Sequence, residues 1–485
     1  MNSLSLFKKT EILQSLVDCI EPVDFEALKY PDLAYEQLKG EKRANVNDKK
    51  VIIVDEILKA AKANDWGLCS SGTNYFVYNG NYWEKLNPDE IKRFLSDCAE
   101  RFGIIHTQAK EERFSDSLLK QFQFAANLTQ PDCDRKKVLI NLKNGTFEIS
   151  TDRQFLRDFN REDFLTYQLS FKYDETAQAQ TFAEYLNRVL PDKTAQDLLA
   201  EYVGYLFIRN GSGMKPEKCL ILYGKGANGK SVFFEVLTAM LGKENVSTFS
   251  LYDLTNENGY YRAQIANKIV NYSTEINGKM NVDIFKKIAS GEPITVRNVY
   301  EKPVDLFDYA KIMFNTNELP KDTEQTNAFF RRLMIIPFNV TIPDSEQDKE
   351  LHHKIIEKEL AGVFNWVIDG LKRLLRNGKF TECKAANECL NQYKTDSDTV
   401  ATFLSENSYQ KSTTEAKPLK ELYDEYRTFC MENGYRAASN RTFSERMRNR
   451  GFECVKTGKG KFFYVETAMP ENEETEETED EELPF

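Results

Sequence analysis

The sequence predicts an α/β protein built around a nucleotide-binding sheet. Two observations predict this: the apolar run Cys219–Tyr223 leads into a glycine-rich turn and a helical segment, and strand and helix patterns then alternate to about Phe338. The turn comprises Gly224, Lys225, Gly226, Ala227, Asn228, Gly229, Lys230 and Ser231. In this context backbone N–H groups and a helix N-terminus cradle phosphate, Lys230 reaches the β/γ-phosphates of ATP, and Ser231 holds Mg²⁺. The alternative is a glycine-rich β–α connection that binds no ligand.

Composition fits soluble globular domains, with 41% hydrophobic and 29% charged residues among 485. The nine cysteines form no Cys-x-x-Cys pair, and with three histidines no zinc pattern emerges. The sequence contains no apolar stretch long enough to predict a membrane helix, and its N-terminus has no apolar core that would predict a signal peptide. We therefore expect a cytoplasmic protein without membrane contact. The net charge of −11 owes much to residues 471–482, which contain nine acids and no base. The remainder is near neutral, so local basic patches decide whether it binds nucleic acid.

The chain divides by pattern into six segments. Residues 1–50 are charged and weakly periodic, which indicates an N-terminal arm, and residues 51–210 are interpreted as an α+β domain. This domain contains a helix from Val51, a hairpin around Asn79-Gly80, a strand pair within 138–147, and helices at 182–189 and 195–208. Residues 211–345 form the nucleotide-binding core, and 346–410 a helical extension and linker, with Ser412 to Thr414 also expected in the linker. Residues 411–467 form a small unit, and 468–485 are predicted to be a disordered acidic tail.

Three further polar positions follow strand-like runs of the core. Glu275 ends one run about forty residues after Lys230, where a carboxylate could orient an attacking water or hold Mg²⁺. Asn317 ends the next strand and could sit between the γ-phosphate and that water. Arg331 and Arg332 precede a buried strand. The alternatives are an exposed acid at a strand end, a turn-capping asparagine and a solvated strand start.

The segment from 419 to 465 reads helix, helix, strand, turn, strand, which is a winged-helix pattern. Between residues 436 and 461 there are eight bases and two acids. A basic second helix and wing favour duplex or fork DNA, with Arg441 and Arg446 as candidate contacts. The alternative is a protein-docking unit with a solvated basic face.

Taken in order, these elements resemble the superfamily 3 helicases, and within them the phage- and plasmid-encoded primase-helicase family that includes the poxvirus replicative helicase. The resemblance covers most of the chain and rests on residues 141–145, 202–205, 224–231, 273–275, 286, 291–297, 300, 317–320 and 330–333. One departure is Thr274, where many members of the superfamily carry an acid. Mg²⁺ would then rest mainly on Ser231 and Glu275.

The resemblance implies an AAA+-type P-loop NTPase core, an α+β N-terminal domain and a C-terminal winged helix. It also implies a homo-oligomeric ring, expected to be a hexamer, with ATP at the subunit interfaces. Lys230, Glu275 and Asn317 would act on ATP, and Arg332 would be an arginine finger for the neighbour's γ-phosphate. The segment from 294 to 306 would form a hairpin lining the central pore. Arg297 and Lys302 of this hairpin, together with Lys286 just before it, would contact single-stranded DNA.

The function expected from these features is an ATP-dependent DNA helicase for replication of a phage, plasmid or integrated mobile element. The alternative is a non-unwinding AAA+ initiator or DNA-sensing switch; a small-molecule kinase would explain neither the arginine strand nor the winged helix. No primase domain is expected before residue 90, so a separate primase is predicted. The tip Leu483-Pro484-Phe485 resembles that of bacterial single-stranded DNA-binding proteins and predicts a host replication partner, the alternative being a solubilising acidic tail.

Overall fold

The structure is a computed structural model that describes twelve parts of the chain. They are residues 9–32, 43–72, 74–128, 137–210, 212, 214–274, 276, 280–298, 302–320, 326–435, 437–458 and 460–467. Several positions singled out above lie outside the described residues: Glu275, Tyr300, Glu301, Arg436, Lys459 and all of 468–485. Among the helices that are described, none is long and apolar enough to cross a membrane.

The first unit combines six helices with a small antiparallel sheet. Its elements are α1 (Lys9–Asp18), α2 (Phe25–Lys29), α3 (Val46–Ala63), β1 (Gly67–Ser71), β2 (Asn74–Tyr78), β3 (Trp83–Leu86), α4 (Pro88–Arg101), α5 (His106–Ala109) and α6 (Glu112–Ala125). The strands follow the order β1-β2-β3, and the predicted hairpin turns at Asn79-Gly80. Helix α3 begins before Val51 because Asn45 caps it and Asp48 closes a capping box. The described part of the predicted arm contains α1, α2 and the start of α3, and α1 buries Ile12 in the same core as α3 and α4.

A second antiparallel sheet and two helices connect this unit to the central core. They are β4 (Lys137–Leu142), β5 (Gly145–Ser150), β6 (Gln154–Arg157), α7 (Gln180–Val189) and α8 (Lys193–Tyr205). The turn between β4 and β5 lies where the strand pair was predicted. Buried side chains of these elements, such as Phe182 and Tyr202, belong to one hydrophobic cluster with Leu220 and Leu237 of the core. This part of the chain therefore packs directly on the central sheet.

The central core is a five-stranded parallel sheet in the order β13-β7-β12-β9-β8. Its elements are β7 (Cys219–Tyr223), α9 (Lys230–Leu241), β8 (Val246–Ser247), α10 (Leu251–Thr255), α11 (Tyr260–Ala263), β9 (Val270–Ser273), α12 (Val282–Ser290), β10 (Ile294–Val296), β11 (Val304–Leu306), β12 (Lys311–Thr316), α13 (Asn327–Phe330) and β13 (Leu333–Pro337). The α/β prediction with a sheet core is confirmed. The carboxyl ends of the parallel strands lie along one edge of the sheet, and ligand sites of open α/β sheets form at this edge. The loop after β7 lies at that edge.

Three helices follow the sheet: α14 (Leu351–Lys358), α15 (Leu360–Asn377) and α16 (Lys384–Asp396). Helix α15 packs closely on α8 at Gly370, where a Cβ atom would lie 2.4 Å from the backbone carbonyl carbon of Ala200. Only glycine permits this approach.

The C-terminal unit comprises α17 (Thr399–Glu406), β14 (Tyr409–Pro418), α18 (Leu419–Glu432), α19 (Asn440–Asn449), β15 (Cys454–Thr457) and β16 (Gly460–Thr467), with sheet order β14-β16-β15. Placing Ser412 to Thr414 in a linker was wrong, because these residues lie in β14. The strand is polar, mostly exposed and interrupted in register between Lys411 and Ala416, so it lacks the apolar alternation that signals a strand.

Candidate nucleotide site

The glycine-rich loop joins β7 to the first turn of α9 and borders a cavity of about 760 Å³. The loop needs glycine at Gly226 and Gly229, whose φ angles are +112° and +84°. Gly229 has a second requirement: a Cβ atom there would lie 2.8 Å from Val189 and 2.9 Å from Tyr185. The loop backbone at Gly229 can therefore lie against α7 only because this position carries no side chain.

Lys230 lies at the centre of the site, with only 7% of its surface exposed. Its Nζ donates to the Gly224 carbonyl at 2.6 Å, to Asn228 Oδ1 at 3.0 Å and to Asn317 Oδ1 at 3.2 Å. Burial lowers the pKa of this ammonium group. The structure therefore brings together the predicted lysine and the predicted asparagine, which are 87 residues apart in the sequence.

A buried hydrogen-bond chain beneath the loop was not anticipated from sequence. Tyr272 Oη donates to Asn315 Oδ1 at 2.8 Å, and Asn315 Nδ2 donates to the Lys230 carbonyl at 3.4 Å. Both side chains are buried, and burial raises the pKa of the Tyr272 hydroxyl, which stays a neutral donor. The chain connects strands β9 and β12 to the first residue of α9. The sequence signal was weak, because Tyr272 and Asn315 are not the sole polar residues of their short strands, VNYS and KIMFNT.

The residues present are of the kinds that would hold ATP and supply part of the coordination of its Mg²⁺. Ser231 is exposed at the N-terminus of α9 and lines the cavity, as a hydroxyl ligand of a nucleotide-bound metal must. Glu275 lies outside the described residues, but β9, which leads to it, pairs with β12 from Val270 to Ser273. Within the described ranges, no cluster of three or more carboxylate, histidine or cysteine side chains could hold a metal by itself.

The opposite wall of the cavity comes from α7 and from the segment around residues 342–352. Tyr185 Oη donates to the Gly229 carbonyl at 2.8 Å, which ties α7 to the loop. Glu359 holds the N-terminus of α7 by accepting from the backbone N–H groups of Thr181 at 3.0 Å and Phe182 at 2.9 Å. The Tyr185 contact spans 44 residues of sequence and the Glu359 contacts span 178 and 177, so no local pattern predicted this wall.

The two adjacent arginines have different environments. Arg332 is 7% exposed; its Nε donates to Ser290 Oγ at 2.9 Å and its Nη1 to the Ala328 carbonyl at 2.7 Å. These bonds hold α12 and α13 together. The Arg331 side chain is 59% exposed and lies 3.4 Å from a carboxylate oxygen of Glu217. Arg332 is thus buried and Arg331 accessible in this structure, and the role of arginine finger predicted for Arg332 stays a prediction.

The predicted hairpin forms, with β10 and β11 antiparallel and Val296 opposite Val304. Lys302, next to its tip, is exposed. Arg297 instead lies over the ring of Tyr260 at 4.9 Å and donates to its hydroxyl at 2.7 Å. Lys286 lies on α12 with 19% of its side chain exposed, 3.5 Å from Asp283. Of the three predicted contacts, the structure presents Lys302 to solvent and holds the other two against the subunit.

The basic residues of the C-terminal unit also fall into two groups, those in ion pairs within the unit and those exposed to solvent. Asp398 lies 3.3 Å from Arg446 and 2.7 Å from Arg450, so these two arginines brace α19 against the start of α17. Arg441, in contrast, is exposed. Further exposed bases of this unit are Arg448, Lys456 and Lys461.

Three family models match parts of the chain. Residues 55–191 match a family described as D5 N terminal like, residues 222–332 a family of unknown function (DUF5906), and residues 395–474 a family described as Poxvirus D5 protein-like.

Curated relatives and solved structures are also similar to this chain. "Putative helicase 121R" of Invertebrate iridescent virus 3 is 23% identical over 364 residues, which are 65% of this chain and 38% of that protein. "Putative helicase L207/L206" of Acanthamoeba polyphaga mimivirus is 26% identical over 296 residues, 56% of this chain and 29% of that protein. The chain thus spans about a third of the length of these relatives. The apo structure of the NrS-1 C terminal region aligns at 12% identity and a TM-score of 0.46, covering 85% of this chain and 98% of that one.

Proposed function

Because the chain belongs to the phage and viral primase-helicase-like family that includes the D5 proteins, we propose that it is an ATP-dependent DNA helicase of superfamily 3. It would serve replication of a phage, plasmid or integrated mobile element. The observation that carries the proposal is the meeting of Lys230 and Asn317 at 3.2 Å beside a glycine cradle and a large cavity. The sheet order supports an AAA+-type core, with the phosphate-loop strand β7 between β13 and β12.

The chain's own residues would perform the chemistry as follows. Backbone N–H groups of the loop and the N-terminus of α9 hold the phosphates of ATP, and Ser231 ligates its Mg²⁺. Lys230 exchanges its carbonyl and amide partners for phosphate oxygens. Asn317, next to it, orients the attacking water, and Glu275 is proposed as its base. Mg²⁺ neutralises the charge that develops on the phosphates when it is bound.

Hydrolysis in a ring also needs a cation from the neighbouring subunit, and we propose that Arg331 supplies it. Arg331 is exposed and lies 3.4 Å from Glu217, whereas Arg332 is buried, donates to Ser290 and Ala328 and lies 3.8 Å from the same Glu217 oxygen. The proposed assembly is a homo-oligomeric ring, a hexamer, with ATP at the subunit interfaces.

The proposed DNA contacts are the exposed bases. Lys302 would meet the backbone of one strand in the central pore. The C-terminal unit, whose order helix, strand, helix, helix, strand, strand matches a winged helix, would meet duplex or fork DNA through Arg441. A separate primase remains a predicted partner. The proposed host contact through Leu483-Pro484-Phe485 also remains a prediction, because that tip lies outside the described residues.

One observation favours the alternative, a non-unwinding AAA+ initiator or switch: Arg297 and Lys286 are held by their own subunit instead of being presented to a strand. Strand displacement on a forked duplex distinguishes the two functions. A helicase separates the strands with ATP and fails with a non-hydrolysable analogue. Lys230→Ala should abolish separation, while the exposed Lys243→Ala serves as a matched control. Wild-type protein that hydrolyses ATP on the fork without separating it would support the alternative.

A further inference from the structure

Four exposed bases of the C-terminal unit form what we call the basic face: Arg441 and Arg448 of α19, and Lys456 and Lys461 of the β15–β16 hairpin. The two arginines are seven residues apart and lie on one side of the helix. The two lysines are directly opposite each other in the strand register. They share a sheet side with Phe463, which is buried in the core to which α19 contributes. The same small unit therefore carries two exposed cations on one side of α19 and two on one side of the hairpin.

The basic face differs from the other cations of the unit. Asp398 forms ion pairs with both Arg446 and Arg450, but among the described residues no carboxylate forms an ion pair with any of the four bases of the face. Two acids, Glu445 and Glu453, lie between these residues in the sequence, so the four cations leave a net positive charge. Such a surface attracts a polyanion.

A polyanionic segment of the same chain follows this unit in the sequence. The acidic segment, residues 471–482, carries nine acids and no base and follows β16 after a short connection from Thr467. An extended chain covers about 3.4 Å per residue, so the segment can reach roughly 50 Å from Thr467. A folded unit of this size has a radius of gyration of about 11 Å. The basic face is within reach.

We propose that the acidic segment docks on the basic face of its own chain and competes there with nucleic acid. The second half of this proposal rests on the DNA-binding role proposed for that face. Tethering through a short connection gives an effective concentration of about millimolar, so a weak electrostatic contact suffices for partial occupancy. The contact is screened by salt, and a nucleic acid that engages several phosphates at once displaces it. The docked segment thus weakens binding of short or sparsely charged nucleic acids more than binding of DNA that presents several phosphates at once.

Docking is tested without DNA by zero-length carbodiimide cross-linking of the full chain. This reagent joins carboxylates to lysine amines that are in contact. We expect cross-links from peptides of 471–482 to Lys456 or Lys461, formed within one chain when isotopically labelled and unlabelled protein are mixed, and lost at high salt. Lys456→Arg with Lys461→Arg keeps the charge and should remove the cross-links. Products that map to lysines elsewhere, or only between chains, would overturn the docking.

Competition is tested by DNA affinity in a variant that carries amides at all nine acidic positions of 471–482. It should bind a short duplex about threefold to tenfold more tightly at low salt, with the difference shrinking as salt rises. In a Lys456→Ala, Lys461→Ala background the amide changes should have no further effect. Deleting Phe485 alone should not alter DNA affinity, which separates this contact from the predicted host contact. Cross-links with unchanged DNA affinity would overturn the competition and the DNA role of the face; tighter binding without cross-links would overturn the docking and leave the DNA role intact.

Discussion

Substituting each of the two adjacent arginines separately should produce opposite effects on stability and activity. Arg332→Ala removes a buried guanidinium that bonds Ser290 and Ala328, whereas Arg331→Ala removes an exposed side chain paired with Glu217. We expect the first change to weaken the fold and the second to stop hydrolysis. The two positions are matched controls for each other because they share sequence context and residue type.

The magnitudes follow from the contacts. Hydrogen bonds from a charged group each contribute about 1.5–3 kcal/mol, and truncating Arg332 also leaves buried acceptors without donors, so we expect a loss of about 3–4 kcal/mol in the free energy of unfolding. That loss corresponds to a decrease in Tm of about 10 °C. The Arg331 pair is at the surface and contributes about 0–1 kcal/mol. Loss of an arginine finger lowers kcat by a factor of about 10³ to 10⁵.

The assay combines thermal unfolding with ATPase measurement on the same preparations. Arg331→Ala should unfold like the wild type, bind ATP and lose hydrolysis; mixing it with Lys230→Ala chains should restore activity at mixed interfaces, because each chain supplies the group that the other lacks. If Arg332→Ala retains the wild-type Tm and loses only hydrolysis, then Arg332 is the finger and our reading of its burial fails. If no mixture regains activity, the proposed ring with ATP at the subunit interfaces is wrong.

Three other predictions concern the site and the hairpin. Lys230→Ala should reduce hydrolysis by about a hundredfold or more in a protein that still folds; Tm should fall as well, because the buried ammonium group donates to Gly224, Asn228 and Asn317, and wild-type turnover would exclude the site. Tyr185→Phe removes the hydroxyl that holds Gly229 and should raise the KM for ATP several-fold, by about 1 kcal/mol, with kcat little changed; an unchanged KM would show that α7 is not part of the binding wall. Lys302→Ala should lower DNA-stimulated ATPase and strand separation more than basal ATPase. Lys286→Ala should change none of these activities, since the Lys286 side chain is only 19% exposed and lies on α12 beside Asp283. Equal effects of the two changes would show that the hairpin tip does not contact DNA.

Features with a local signature were predicted well from the sequence. The phosphate loop, the turn at Asn79-Gly80 and the strand pair around Asn144-Gly145 each depend on glycine or asparagine at fixed offsets from apolar runs. Lys230 and Asn317 were each assigned to the nucleotide site by their motifs; they meet because β7 and β12 are neighbouring parallel strands whose carboxyl ends share one edge.

Features that depend on distant contacts could not be predicted. Nothing local distinguishes Arg331 from Arg332; the difference arises because α12 places Ser290 beside only one of them. The wall formed by α7 depends on Glu359 and on the approach of Tyr185 to Gly229, both far away in sequence. Strand β14 was missed because its pairing with β16, and not its own side-chain pattern, makes it a strand.

The position of α7 has a consequence for how the protein can be divided experimentally. A recombinant fragment that starts just before β7 would contain every residue of the phosphate loop, yet it would lack Tyr185 and the hydrophobic surface that α7 and α8 share with α9. Such a fragment would expose Leu237 and Met240 to water and would be prone to aggregation. The smallest piece suited to nucleotide-binding studies therefore begins upstream of β4 and continues through α16. The border between the family matches at residues 191 and 222 does not coincide with a border between folding units.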